Sequence, residues 1–255
     1  MVAVLALTGL AAGEPNVRGG AQAEGHAGGW PGSRVLSENH PPSVKIETPA
    51  GSAVLSAGAP VNYRISVADK EDGSSGFDEI NAKEVLLEVR YMGAAASGKP
   101  ATGAPASSVS ALSKSVPDDA PGLAVIITSN CFNCHNFNGK AIGPSFYDIS
   151  KRYPAAKAST DTLVRRIKDG SSGVWGKEKM PSHPELDAGD IKRSVQWILA
   201  NAAKPNITYY NGTTGILSLN KKGSYLFTAS YTDHGVKGSA HPRAKGFDRI
   251  VVSVR

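Results

Sequence analysis

"NCFNCHNFNGK" (residues 130–140) contains both cysteines of this 255-residue chain, Cys131 and Cys134, two residues apart and followed at once by His135. Two cysteines are too few for a disulfide framework, and one such pair supplies only half the ligands of a structural zinc site. C-x-x-C also occurs as a thioredoxin-like redox pair, which belongs at a strand-to-helix junction in a βαβ setting. Nothing around residue 131 alternates that way, although the motif alone leaves that reading open. C-x-x-C-H in full matches covalent attachment of a c-type haem, in which both thiols add to the vinyl groups and the adjacent imidazole binds iron. One helical turn sets the two sulfurs at the separation of the vinyls, and the next residue lies beneath the metal.

A second axial ligand is then expected further along. The chain has only Met1, Met92 and Met180, and Met180 sits in the glycine-rich "GSSGVWGKEKMPSH" (residues 170–183), beside the stiff Pro181. A thioether is a soft ligand that favours ferrous iron, so His/Met ligation raises the reduction potential and closes the iron to other ligands. The alternative is that Met180 is ordinary loop packing and His183 or water completes the iron.

Residues 119–203 resemble a class I c-type cytochrome of the small bacterial kind. The resemblance rests on "CFNCH", "GPSFYDIS", "RIKDGSSGVWGKEKMP" and "QWILA". It implies one covalent haem c per chain, held by Cys131 and Cys134, with His135 and Met180 axial. It further implies that the Pro144 carbonyl receives the proximal imidazole N–H. By the same resemblance Trp175 and an arginine, Arg165 or Arg166, lie near a haem propionate.

The helical pattern agrees. "DDAPGLAVIITSN" (118–130) has a proline after acidic residues, then Leu123, Ile126 and Ile127 at helical spacing. "STDTLVRRIKDG" (159–170) offers Ser159 or Thr160 as cap, Leu163, Val164 and Ile167 as one face, and Gly170 as stop. "LDAGDIKRSVQWILANA" (186–202) is capped by Asp187 and carries Ile191, Val195, Ile198 and Leu199 as its stripe. Trp197 and Gly122 suit the close crossing of first and last helices that the resemblance implies.

Length leaves room for a second domain. "MVAVLALTGLAAG" is apolar and too short to span a bilayer, and "AQA" at 21–23 offers a cleavage site, so residues 1–23 read as a signal peptide or truncated leader. No Lys or Arg precedes the apolar run. Covalent haem independently implies export to the periplasm or the outer surface of a bacterium.

Residues 24–92 predict four strands, "SVKIETP", "AVLSAG", "PVNYRISVAD" and "KEVLLEVRYM"; residues 204–255 predict three more, "TGILSLN", "GSYLFTASYTD" and "FDRIVVSVR". Val61, Tyr63, Ile65 and Val67 alternate, as do Val85, Leu87, Val89 and Tyr91, and Tyr225, Phe227, Ala229 and Tyr231. Each flank alone is near the lower limit for burying a core, and together they reach the strand count of an immunoglobulin-like sandwich. Lys plus Arg against Asp plus Glu stand at 9 to 13 in residues 1–120 and at 8 to 2 in residues 204–255, so the flanks carry opposite charge. The expected fold is therefore multidomain α plus β: an all-α class I cytochrome domain (119–203) inserted in an antiparallel Ig-like sandwich assembled from both flanks. The tethers are a linker at 93–118 and "NAAKPNITYYNGTTG" (201–215). Two separate β modules are the competing layout.

"PPSVKIETPAGSAV", "APVNYRISVADKEDG" and "YLFTASYTDHGVKG" also resemble the PKD-like segments around a cytochrome at the C-terminal end of periplasmic pyrroloquinoline-quinone sugar dehydrogenases. The propeller of those enzymes, with its quinone and calcium ligands, has no counterpart here, so only electron acceptance is implied. The acidic run "DKEDGSSGFDE" (Asp69, Glu71, Asp72, Asp78, Glu79) lacks the spacing of an EF-hand and reads as a solvated turn rather than a calcium cage. His26, His40, His234 and His241 are scattered. Net charge of +6 without interleaved aromatics does not suggest nucleic acid. The expectation is a single-electron carrier, not an enzyme, with redox partner proteins: a dehydrogenase donor and a downstream cytochrome or oxidase acceptor. A haem enzyme or sensor with a displaceable sixth ligand, and a haem-bearing structural component of a surface assembly, are the other classes.

Overall fold

The computed structural model describes residues 38–93, 120–236 and 243–255. The leader at 1–23, the linker at 93–118 beyond Gly93 and both His26 and His241 lie outside the described residues. No helix among the described residues is long and apolar enough to cross a membrane.

Nine strands occur among the described residues. Five precede the haem-motif segment: β1 (Ser43–Thr48), β2 (Val54–Leu55), β3 (Pro60–Asp69), β4 (Gly73–Ser74) and β5 (Leu86–Gly93). Four follow it: β6 (Ile207–Asn211), β7 (Thr214–Ser218), β8 (Gly223–Thr232) and β9 (Lys245–Val254). One sheet joins β1, β3 and β4, with β7 also on β3; the other runs β2-β9-β8-β5-β6. Each sheet thus contains strands from both flanks, through β3 with β7 and β5 with β8. Pairing is antiparallel except for β2, which runs parallel to β9, a departure from the all-antiparallel expectation.

The alternating residues explain why the sheets meet. Ile65 and Val67 of β3 are 2% exposed, Phe227 and Ala229 of β8 are 0% exposed, and all four belong to one apolar cluster shared by the two sheets. Burial of this kind contributes roughly 25 cal/mol per Å² of apolar surface, so the core rather than the charge contrast between flanks holds them together.

Two strands were not anticipated. β4 is a two-residue return after the acidic turn. β6 lies inside the stretch expected to be a tether, because Ile207–Asn211 pairs with Leu86–Arg90 of β5 and buries Tyr209. Its periodicity is too short to declare a strand; the partner strand decides it.

The acidic turn is not solvated throughout. Asp69 is buried, and its Oδ1 accepts the N–H groups of Glu71 at 2.9 Å and Asp72 at 2.7 Å. Asp72 Oδ2 accepts from the Tyr231 hydroxyl at 2.7 Å and the His234 N–H at 2.9 Å, while His234 also reaches Glu84 at 3.1 Å. His234 therefore ties the two flanks. Burial pushes the Asp72 carboxyl up, but Tyr231 and His234 outweigh it and hold the group below the usual carboxylate range. The sign follows by linkage: a depressed folded pKa adds stability above the unfolded value, about 4, and that stability is lost as pH falls through the folded one. Asp72→Asn is expected to lose less stability than wild type between pH 5 and pH 2, measured by urea unfolding at each pH.

Among the described residues four α-helices lie between the β segments: α1 (Pro121–Thr128), α2 (Phe146–Arg152), α3 (Lys157–Asp169) and α4 (Ala188–Asn201). Leu123, Ile126 and Ile127 are buried on α1, as expected. Asp187 caps α4 by accepting from the Gly189 and Asp190 N–H groups. Neither Ser159 nor Thr160 caps α3, which begins two to three residues earlier; Thr160 is buried inside it and its hydroxyl donates to the Ala156 carbonyl at 3.1 Å. Gly170, at φ +80°, ends α3. Where α1 crosses α4, a Cβ on Gly122 would stand 2.2 Å from the Arg193 carbonyl oxygen, so only glycine permits this approach.

β5 is buried on both faces. Leu87 enters the core between the sheets, whereas its neighbour Leu86 joins Phe132, Phe137, Trp197 and Tyr209 in a second cluster against the helices. Segment 136–138 lies along β6: the Phe137 N–H donates to Asn211 Oδ1 at 3.3 Å, and the Asn138 amide donates to the Tyr209 carbonyl. The edge of the larger sheet is thereby covered by the same segment that carries the C-x-x-C-H motif.

Candidate haem-binding site

After α1 the chain turns sharply at Asn130, which is left-handed at φ +56°, into a single 3₁₀ turn, Cys131–Asn133. The N–H groups of Cys134 and His135 both donate to the Cys131 carbonyl, at 3.3 and 3.0 Å. The motif therefore follows a helix rather than opening one after a strand, unlike the setting of a thioredoxin-type pair. Burial pushes the Cys131 thiol up to about 11, whereas a nucleophilic redox cysteine needs a depressed pKa. Both thiols are free of disulfide.

His135 is oriented from three sides. Its Nδ1 lies 2.7 Å from the Pro144 carbonyl oxygen, which can only accept, so Nδ1 carries the hydrogen and Nε2 keeps its lone pair. Phe146 stacks on the ring with centroids 5.4 Å apart and planes 16° apart. Gly143 closes the third side: a Cβ there would stand 2.6 Å from His135 Cε1. Burial lowers the His135 pKa, more than the Pro144 bond raises it, so the ring is held as the neutral imidazole a metal requires. Gly143→Ala is expected to displace this ring and to lower thermal stability, with a change in the visible spectrum of the loaded protein reporting the displacement.

These side chains border a cavity of about 310 Å³. Cys131, Cys134, His135 and Pro144 contribute to its wall from one stretch of chain, and Trp175 and Met180 from another. Ile126, Phe146, Leu163, Val195 and Ile198 make much of the remainder apolar. The Met180 segment is closed by a pair of backbone bonds, Ser171 N–H to the Met180 carbonyl at 3.1 Å and Met180 N–H to the Ser171 carbonyl at 2.9 Å. His183 also borders the cavity, with Nδ1 2.9 Å from Glu185 Oε1.

The structure separates the two arginine candidates. Arg166 borders the cavity, hydrogen-bonded to the Tyr153 hydroxyl with its guanidinium 5.7 Å from the Tyr153 ring centre. Arg165, one residue and about 100° further round α3, is exposed and takes no part in the wall. Arg152 was not anticipated. Its guanidinium lies 4.6 Å over the Trp175 ring and donates to the Val174 carbonyl at 3.0 Å, bracing the loop that carries Met180. Only its position in the last turn of α2 is visible in the sequence, since the contact spans 23 residues. Two free thiols, an imidazole with its lone pair available, a thioether, an apolar wall and a cation suit a covalently attached haem with carboxylate side chains.

Comparison with known proteins is consistent with this chemistry. The family model described as Cytochrome c matches residues 120–202. The chain is 41% identical over 87 residues to cytochrome c-552 of Hydrogenobacter thermophilus, covering 31% of this chain and 88% of that protein. It is 36% identical over 74 residues to cytochrome c-551 of Azotobacter vinelandii, covering 29% of this chain and 89% of that protein. A crystal structure of Nitrosomonas europaea cytochrome c552 is 35% identical, with 30% of this chain and 95% of that one covered and a TM-score of 0.29.

Proposed function

We propose, from the premise that this chain belongs to the cytochrome c family and is a mono-haem electron-transfer protein with covalent haem c, that its β part is an immunoglobulin-like module presenting the haem to redox partners outside the cytoplasm. The convergence of Cys131, Cys134, His135 and Met180 on one largely apolar cavity carries the reading. Haem supplies an iron that gains and loses one electron while no substrate bond forms or breaks. Cys131 and Cys134 would hold it through thioether bonds, and His135 Nε2 and the Met180 sulfur would be its iron ligands. Pro144 holds the His135 ring and its tautomer. Arg166 balances propionate charge, with Trp175 nearby braced by Arg152; Arg165 has no such role. Met180 favours the ferrous state and so raises the potential, while the apolar wall excludes water.

If His135 and Met180 both ligate the iron, no position would remain for a substrate, which suits an outer-sphere carrier rather than an enzyme. Its donor is a dehydrogenase, such as a quinoprotein sugar dehydrogenase, and its acceptor a downstream cytochrome or oxidase, in the periplasm or at the bacterial surface. The test is the visible spectrum of the haem-loaded protein, oxidised and reduced, with and without carbon monoxide. A low-spin spectrum unchanged by carbon monoxide supports the carrier; a high-spin spectrum that shifts with the gas means an open iron and replaces it with a haem enzyme or sensor.

A further inference from the structure

Far from the haem pocket in sequence, two enclosed oxygen atoms have no hydrogen-bond partner: Asn39 Oδ1 and Asp69 Oδ2. Asn39 is 8% exposed and Asp69 9%. Both atoms only accept, and an enclosed acceptor without a donor is costly. What stands beside them adds negative charge. The Asn39 amide donates to Oδ2 of Asp233 at 2.9 Å, and Asp233 is itself 0% exposed, its Oδ1 accepting the Ala244 N–H at 2.8 Å.

Neighbouring bonds draw the three residues' segments together. The N–H of His40, next to Asn39, donates to Glu71 Oε2 at 3.3 Å, two residues beyond Asp69. The N–H of His234, next to Asp233, donates to Asp72 Oδ2 at 2.9 Å. Ladder register places Ser43, at the start of β1, opposite Ala68 at the end of β3. The approach to β1, the β3–β4 turn and the segment leaving β8 therefore meet at one end of the paired sheets.

We propose that Asn39, Asp69 and Asp233 bind one calcium ion there. Calcium takes carboxylate and amide carbonyl oxygens in flexible geometry, and two carboxylates neutralise it. Among the described residues no three His, Cys, Asp or Glu side chains gather as a metal centre; this site needs only two carboxylates, because the third side-chain oxygen is that of Asn39. Backbone carbonyls or water complete the shell. The ion locks strands of both flanks to one another, independently of haem. It shares Asp69 with the acidic run but takes its other two side chains from Asn39 and Asp233, while Glu79 of the run is engaged elsewhere, accepting the Ser74 N–H at 2.9 Å.

The test uses the full-length haem-loaded protein, stripped with a chelator and titrated with calcium chloride by calorimetry, alongside thermal unfolding with and without the salt. One ion per chain and a rise of several degrees in Tm are expected, because a ligand that binds only the folded state stabilises it. Magnesium chloride at equal concentration should give a much smaller rise, and Asp69→Asn should abolish the calcium response while leaving the haem spectrum unchanged. Absence of binding heat and of any Tm shift in the wild type would mean that water fills the gap and would overturn the proposal. So would an equal calcium response in Asp69→Asn and Asn39→Leu, which read the site even where Asp233→Asn fails to fold.

Discussion

Met180→Ala is expected to remove the weak far-red sulfur-to-iron absorption of the oxidised protein and to lower its reduction potential on the order of a few hundred mV, within the roughly 0.8 V range that axial ligation spans. Alanine supplies no donor at position 180, and loss of the soft thioether removes the preference for ferrous iron. The Ser171–Met180 bridge is made by backbone atoms, so the loop keeps its closure and the effect is confined to ligation. His183→Ala separates the two candidate ligands. His183 borders the same cavity but its ring engages Glu185, so this variant should keep the far-red band and shift the potential little. Spectroelectrochemical titration of the two variants checks both statements; a band that survives in Met180→Ala and vanishes in His183→Ala would reverse the assignment.

Phe137→Ala is expected to cost about 4 kcal/mol, the range for truncating a buried phenylalanine, and roughly 10 °C in Tm for a domain of this size. Phe137 is 1% exposed and stands among four aromatic rings, Phe132, Phe146, Trp197 and Tyr209, with centroids 5.2 to 6.0 Å away. Tyr209 belongs to β6 of the larger sheet, so the cavity left by alanine opens the junction between helices and sheet as well as the packing behind the haem motif. Phe137→Leu retains most of the volume and should cost less than half as much. Denaturant unfolding followed by both haem absorbance and far-ultraviolet circular dichroism measures the loss. Non-coincident transitions would show that the junction, rather than either part alone, had been weakened.

Local chemistry was legible because it is written contiguously. Cys131, Cys134 and His135 need no partner from elsewhere to mark a candidate haem-attachment motif, and the apolar stripes of α1 and α4 declare their inner faces through a 3.6-residue period. Inward strand residues such as Val61, Ile65, Phe227 and Ala229 were readable from a period of two, and all four are buried. Less legible were features whose cause lies in another segment. The cap of α3 was misplaced because Ser159 and Thr160 have the right chemistry, yet Thr160 is turned inward by packing. β6 looked like a tether because five residues carry too little periodicity, and Leu86 followed by Leu87 was a break in alternation whose meaning, burial on both faces, appears only with the helices in place.

The sequence by itself determined the covalent attachment chemistry, the candidate iron ligands and the residues able to face a core, since attachment motif and core faces depend on side-chain type and on local spacing and only three methionines were available. Tertiary structure alone decided which arginine reaches the cavity, that Arg152 braces Trp175, that a strand edge is covered by the haem-motif segment, and that Asn39 meets Asp233 across 194 positions of chain. Such pairings follow from how sheets and helices stack, and no local period records which distant segment arrives at a given face.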